Sequence, residues 1–96
     1  MHFIVHCIDH DDALPTRLAN YDAHKAYLAA AAEVRMVISG PLTADDGETM
    51  TGSCFLLEAE NKDAVVRFNR EDPFSIAGVW RQVSINPFLK RVDNRE

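Results

Sequence analysis

Ninety-six residues bound a single domain spanning 1–96, a chain that buries roughly two-thirds of its unfolded surface and leaves little room for a deep private site. A hydrophobic fraction of 47% excludes disorder, and a net charge of −5 argues against nucleic acid or an anionic membrane as partner. No apolar run reaches the length of a membrane span, and the opening MHFIVHCID carries no basic region or cleavage signal, so a cytoplasmic, soluble protein is expected.

In chain order, His2 to Asp9 is predicted as a strand with Phe3, Val5 and Cys7 on one face and Ile4, His6 and Ile8 on the other. Both faces are partly apolar, which predicts cover on both sides. His2, His6 and His10 alternate along this strand and its exit, but no fixed carboxylate or cysteine accompanies them, so no metal site is expected. After a polar turn, Leu14 to Glu33 has no glycine and one early proline and is predicted as one long helix. Val34 to Ser39 is a second strand, ended by Gly40-Pro41. An acidic loop, 42–50, leads to a third strand, Thr51 to Ala59. Asn61 caps a shorter helix through Arg70 whose apolar row is Ala64, Val65 and Phe68. Asp72-Pro73-Phe74 breaks that helix, and Gly78 to Ile85 is a fourth strand before a Pro87-Phe88 tail.

The order βαββαβ predicts an α+β, ferredoxin-like fold: a four-stranded antiparallel sheet with two helices on one face. The other face carries large residues on several strands, and a homodimer pairing sheet to sheet is the economical way to hide it. Cys7 and Cys54, each among apolar strand neighbours and outside any CxxC pattern, are expected as buried free thiols.

The long helix carries the best clue to function. Leu14, Tyr21, Leu28, Ala31 and Ala32 form one apolar arc, and Arg17 and His24 fall inside it. A helix seldom aims a guanidinium and an imidazole at its own core, because unpaired buried charge is costly. His24 is therefore either a satisfied core histidine or, with Arg17 and Tyr21 on the same row, part of a polar pocket. An imidazole exchanges protons near neutrality, and a carboxylate on one ring nitrogen fixes its tautomer. Asp22 is the nearest carboxylate in sequence, but it lies about 160° round the helix from His24 at ~100° per residue. Arg17 can stabilise a developing phenolate or enolate. Ser39 offers a hydroxyl at a strand end, Gly40 permits close approach of a substrate, and Tyr21 offers an aromatic wall with a hydroxyl tip. His6 is placed where its strand neighbours the helix, and Phe74 and Trp80 as core or pocket walls. No phosphate loop, dinucleotide fingerprint, GxSxG elbow or HExxH pattern is present in the sequence, so no cofactor is called for.

Taken in order, Arg17-Leu18 with Ala23-His24, Ser39-Gly40-Pro41, Thr51-Gly52-Ser53, Asp72-Pro73-Phe74 with Ala77-Gly78-Val79, and Val83 through Phe88 resemble the YciI-like family over nearly the whole chain. The resemblance implies a dimeric ferredoxin-like protein of the dimeric α+β-barrel type with a histidine–aspartate pair proposed as catalytic centre, here His24 and Asp72. It further implies a branch of dehydrochlorinases acting on chlorinated hydroxyhydroquinones, and fold relatives that act on lactones and similar rings. Where many members have Arg-Pro before Ala-His, this chain has Tyr21-Asp22, which removes one cation for an anionic substrate. The expectation is a cofactor-independent His/Asp acid–base enzyme that acts on a small cyclic metabolite, hydroxylated aromatic or lactone-like, by elimination or isomerisation. The competing reading is a non-catalytic dimeric module that binds a small ligand or stabilises a partner.

Overall fold

The computed structural model describes residues 1–95, and eight elements follow one another: β1 (His2–Asp9), α1 (Leu14–Ala19), α2 (Tyr21–Ala29), β2 (Arg35–Thr43), β3 (Met50–Glu58), α3 (Lys62–Arg70), α4 (Pro73–Ile76) and β4 (Trp80–Phe88). The four strands form one antiparallel sheet in the order β2-β3-β1-β4, the ferredoxin-like arrangement, with β1 and β3 central. Along β1, Phe3, Val5, Cys7 and Asp9 are buried. Cross-strand pairing adds Leu57, Phe55 and Ser53 to the same face, and with Val65, Phe74 and Val79 they build the core beneath the helices. Gly52 is dictated by this sheet, because a Cβ there would sit 2.3 Å from the carbonyl oxygen of Cys7.

The opposite face is open. It presents Ile4, Cys54 and Leu56, all half-buried, and Ile38, which is 49% exposed. His6 stands among them, opposite Cys54 and Ser84 in register, and is exposed. This corrects the expectation that His6 faces the helix: side chains alternate along a strand, and buried Val5 and Cys7 on either side place it on the far face. Cys54 is likewise half-buried rather than buried, whereas Cys7 lies in the core.

The expected helix from Leu14 to Glu33 is two short helices that stop at Ala29. Asn20 separates them. Its backbone N–H and its side-chain Nδ2 both donate to the carbonyl of Thr16, at 3.1 and 2.9 Å, the local competition that makes asparagine a poor helix-interior residue. Alanines 30–32 favour helix, but Val34 is buried in the core and Ala31 packs against it, and this tertiary demand overrides propensity. Gly40-Pro41 does not end its strand; β2 runs on to Thr43, and β4 includes Pro87 and Phe88. Both are edge strands, where a missing backbone N–H is tolerated. Asn61 caps α3 as expected, with Oδ1 accepting from the Ala64 N–H at 2.9 Å. Among the described residues no helix is long and apolar enough to cross a membrane.

Candidate active site

The most buried positions of α1 and α2 are polar: Arg17 in the first and His24 in the second, while Leu14 and Leu18 stay exposed. Each polar residue meets a buried carboxylate. Asp72, fully buried, ends the α3–α4 turn; its Oδ1 accepts from the Phe74 N–H at 2.8 Å, and so caps α4. Pro73 helps fix this corner, since its locked φ suits the first position of a helix. The cap aims both carboxylate oxygens at His24 Nδ1, 2.8 and 2.9 Å away. Helix-stop chemistry and the histidine partnership are thus one arrangement. The imidazole stacks on Phe74 with centroids 3.9 Å apart and planes 9° from parallel, and Trp80 closes edge-on at 6.5 Å. A ring held by a carboxylate on one edge and an aromatic face beneath has one orientation. An ionised carboxylate only accepts hydrogen bonds, so Nδ1 is the nitrogen that donates to Asp72, which leaves Nε2 as the lone-pair nitrogen of the neutral tautomer. Nε2 has no hydrogen-bond partner among the described residues.

Arg17 reaches the same neighbourhood from α1. Its Nε and Nη2 donate to the two oxygens of Asp9 at 2.8 and 3.0 Å, and Nη2 also donates to Ser53 Oγ at 2.7 Å. Trp80 Nε1 donates to the same serine oxygen at 3.3 Å. The guanidinium carbon lies 4.7 Å from the centroid of Phe74, so Phe74 touches both the guanidinium and the imidazole.

A pocket of about 250 Å³ opens beside these groups. Tyr21, His24, Lys25 and Leu28 of α2 form one wall; Ser39, Gly40, Pro41 and, across the ladder, Ser53 and Phe55 form the other, and Arg17 closes the end. That volume suits one substituted ring rather than a nucleotide cofactor. The structure therefore brings together Arg17, Tyr21, His24, Ser39 and Gly40 around one cavity, with Asp72 behind His24. Phe74 is fully buried and lies under the imidazole instead of in the pocket wall. His6 lies on the other side of the sheet and takes no part. A Cβ on Gly40 would meet nothing within 4 Å, so space at that position is not limiting. Among the described residues no group of three or more His, Cys, Asp and Glu gathers as a metal site. Cys7, also under the helices, is pushed up to about 12 by burial and remains a thiol.

The YCII-related domain matches residues 1–89. The chain belongs to the YCII-related family. The Escherichia coli O6:H1 protein YciI is 33% identical to it over 94% of this chain and 98% of its own length, and an uncharacterized Haemophilus influenzae protein is similar to the same extent. Among solved structures it is similar to 5-chloro-2-hydroxyhydroquinone dehydrochlorinase (TftG) from Burkholderia phenoliruptrix AC1100, crystallised with 2,5-dihydroxybenzoquinone. The TM-score is 0.82, with 33% identity over 93% of this chain and 94% of that one. An Arabidopsis thaliana protein, 14% identical with a TM-score of 0.50, shares the fold alone.

Three residues of this YCII-related site carry no role in the sequence reading: Asp9, Ser53 and Lys25. Asp9 was signalled, because it continues the Phe3, Val5, Cys7 alternation and so puts a carboxylate on the buried face. A buried arginine on the facing helix needs such a partner. Ser53 stood within a quoted motif with no signal of its own. Lys25 follows His24 directly, and helix periodicity alone places it off the arc; only the cavity between α2 and the β2–β3 ladder reveals that it lines the site.

Proposed function

We propose that this protein is a cofactor-independent acid–base enzyme of the lyase or isomerase type, acting on a small cyclic metabolite. The substrate class favoured is a hydroxylated aromatic ring, and the reaction favoured is loss of chloride from a chlorinated hydroxyhydroquinone. The single observation that carries the reading is His24, clamped through Nδ1 by buried Asp72 and lining a ring-sized pocket with Nε2 uncommitted.

In this reading Nε2 takes the proton of a ring hydroxyl while the Asp72 carboxylate supports the imidazolium that forms. For a chlorinated hydroxyhydroquinone, one hydroxyl first ketonises as a proton is added to the chlorine-bearing carbon. Loss of a second hydroxyl proton to His24 then drives its O–H electron pair through the ring and expels chloride. The net change is loss of HCl with formation of a quinone, so no external oxidant is needed. Similarity to TftG over nearly the full chain supports this choice of substrate. The proposed active form is a two-fold dimer joined through the open sheet face.

The test is a panel of chlorinated and unchlorinated hydroxyquinols, read by chloride release and ultraviolet spectra, with His24→Ala as control. Turnover that falls about 10²–10⁴-fold in the variant supports the proposal. Binding without turnover by the parent protein across the panel supports the ligand-binding module instead.

A further inference from the structure

Charge around the pocket is uneven in a chain that is acidic overall. Among the described residues no Asp or Glu lines the cavity, whereas Arg17, His24 and Lys25 do. Of these three, Arg17 is committed to Asp9 and Ser53, and His24 to Asp72. Lys25 makes no ion pair among the described residues. Its Nζ lies 4.8 Å from the centroid of the Tyr21 ring, one helical turn earlier on the same face. That contact keeps the ammonium beside the pocket by cation–π attraction without neutralising it.

We propose that Lys25 is the specificity-determining residue of this pocket, its ammonium holding an anionic oxygen on a planar ring ligand, either a phenolic or enolic oxygen or a ring carboxylate. The proposal shares its site with the acid–base reading of His24 and extends that reading to substrate class. Its chemistry complements the proton transfer. When Nε2 takes a hydroxyl proton, negative charge develops on that oxygen before the electron pair moves into the ring, and among the described residues Lys25 is the only cation lining the pocket that lacks a carboxylate partner. Before the proton moves, the Asp9–Arg17 pair is neutral as a unit and Asp72 lies behind the imidazole, so Lys25 is the cation that an anionic ligand meets at the pocket wall. A neutral ring gains nothing from that position beyond apolar contact with Leu28 and Phe55.

Equilibrium binding, followed by Trp80 fluorescence and by calorimetry, tests the assignment with three probes. These are 2,5-dihydroxybenzoquinone for acidic ring hydroxyls, 2,5-dihydroxybenzoate for a carboxylate, and uncharged 1,4-dimethoxybenzene. Lys25→Met is expected to weaken the anion that fits by about tenfold, the scale of one charge-assisted hydrogen bond at a partly open site. It should also flatten the dependence of binding on salt and leave the neutral ring unchanged, while Lys25→Arg restores the anion. Which anionic probe responds identifies the oxygen recognised. Parent-like anion binding by Lys25→Met, or an equal loss for the neutral ring, overturns the proposal. The two readings separate cleanly. Lys25-dependent anion binding with no turnover of any hydroxyquinol keeps Lys25 and sinks the acid–base enzyme. Turnover whose KM is unmoved by Lys25→Met keeps the enzyme and sinks Lys25.

Discussion

Replacing Arg17 with methionine strands the Asp9 carboxylate inside the fold. Asp9 is 6% exposed and Arg17 2%, and the change removes both hydrogen bonds to the carboxylate, at 2.8 and 3.0 Å, together with the 2.7 Å bond to Ser53. Ser53 retains only Trp80 Nε1 as a donor. Removing one partner of a buried ion pair costs about 3–5 kcal/mol, chiefly the burden of the charge left behind. At about 4–8 °C per kcal/mol for a domain of this size, melting should fall by roughly 12–40 °C. Asp9→Leu with Arg17→Met removes both charges and should be less destabilised than Arg17→Met alone, because no uncompensated ion remains. Urea unfolding read by circular dichroism and by the fluorescence of Trp80, the one tryptophan in the chain, measures Arg17→Met, Asp9→Leu and the double variant. A loss under about 1 kcal/mol for Arg17→Met, or strictly additive singles, would refute the argument that this pair is a buried structural unit.

Cys7, raised from 9.0 to about 12 by burial, favours the folded state as long as the thiol stays protonated. Its contribution is complete below about pH 9 and is lost as pH rises from 9 to 12, since the unfolded thiol ionises first; Cys7→Ala should flatten that limb of the stability–pH curve. In alkylation of the native protein at neutral pH, Cys7 should stay unmodified, and rapid labelling would contradict its buried placement. If the open sheet face pairs with its copy, light scattering should give about twice the 10.8 kDa chain mass. Leu56→Asp should then return the protein to monomer; an unchanged dimer would place the interface elsewhere.

Most of the fold was written in local pattern. Alternation in β1 separates Phe3, Val5 and Cys7 from Ile4, His6 and Ile8, and Asn61 marks the start of α3; both survive in the structure because nothing distant opposes them. Where distant packing decides, the sequence misleads. Val34 in the core stops α2 short of Glu33, and the edge positions of β2 and β4 let strands run through Pro41 and Pro87. The site follows the same division. Arg17 and His24 betrayed themselves as polar groups on an apolar arc. Their partners could be argued only so far: Asp72 through family resemblance, and Asp9 through strand parity that had to be matched to the right helix. Lys25 was invisible, since helix phase alone cannot show a cavity formed with another element. His6 was misplaced because strand parity was set aside in favour of proximity in the chain.

Whether His24 and Asp72 act as one proton-transfer unit is measured directly by a double-mutant cycle in turnover. His24→Ala removes the base, and Asp72→Asn removes the charge held 2.8 and 2.9 Å from Nδ1 while keeping an acceptor in place. With folding checked by circular dichroism, His24→Ala should cost about 10²–10⁴ in kcat and Asp72→Asn somewhat less. The double variant should be little worse than the more impaired single, because residues that work as a unit are not additive. Losses that multiply through the cycle, or a folded His24→Ala protein with parental turnover, would contradict the claim and leave His24 a core histidine satisfied by its aspartate.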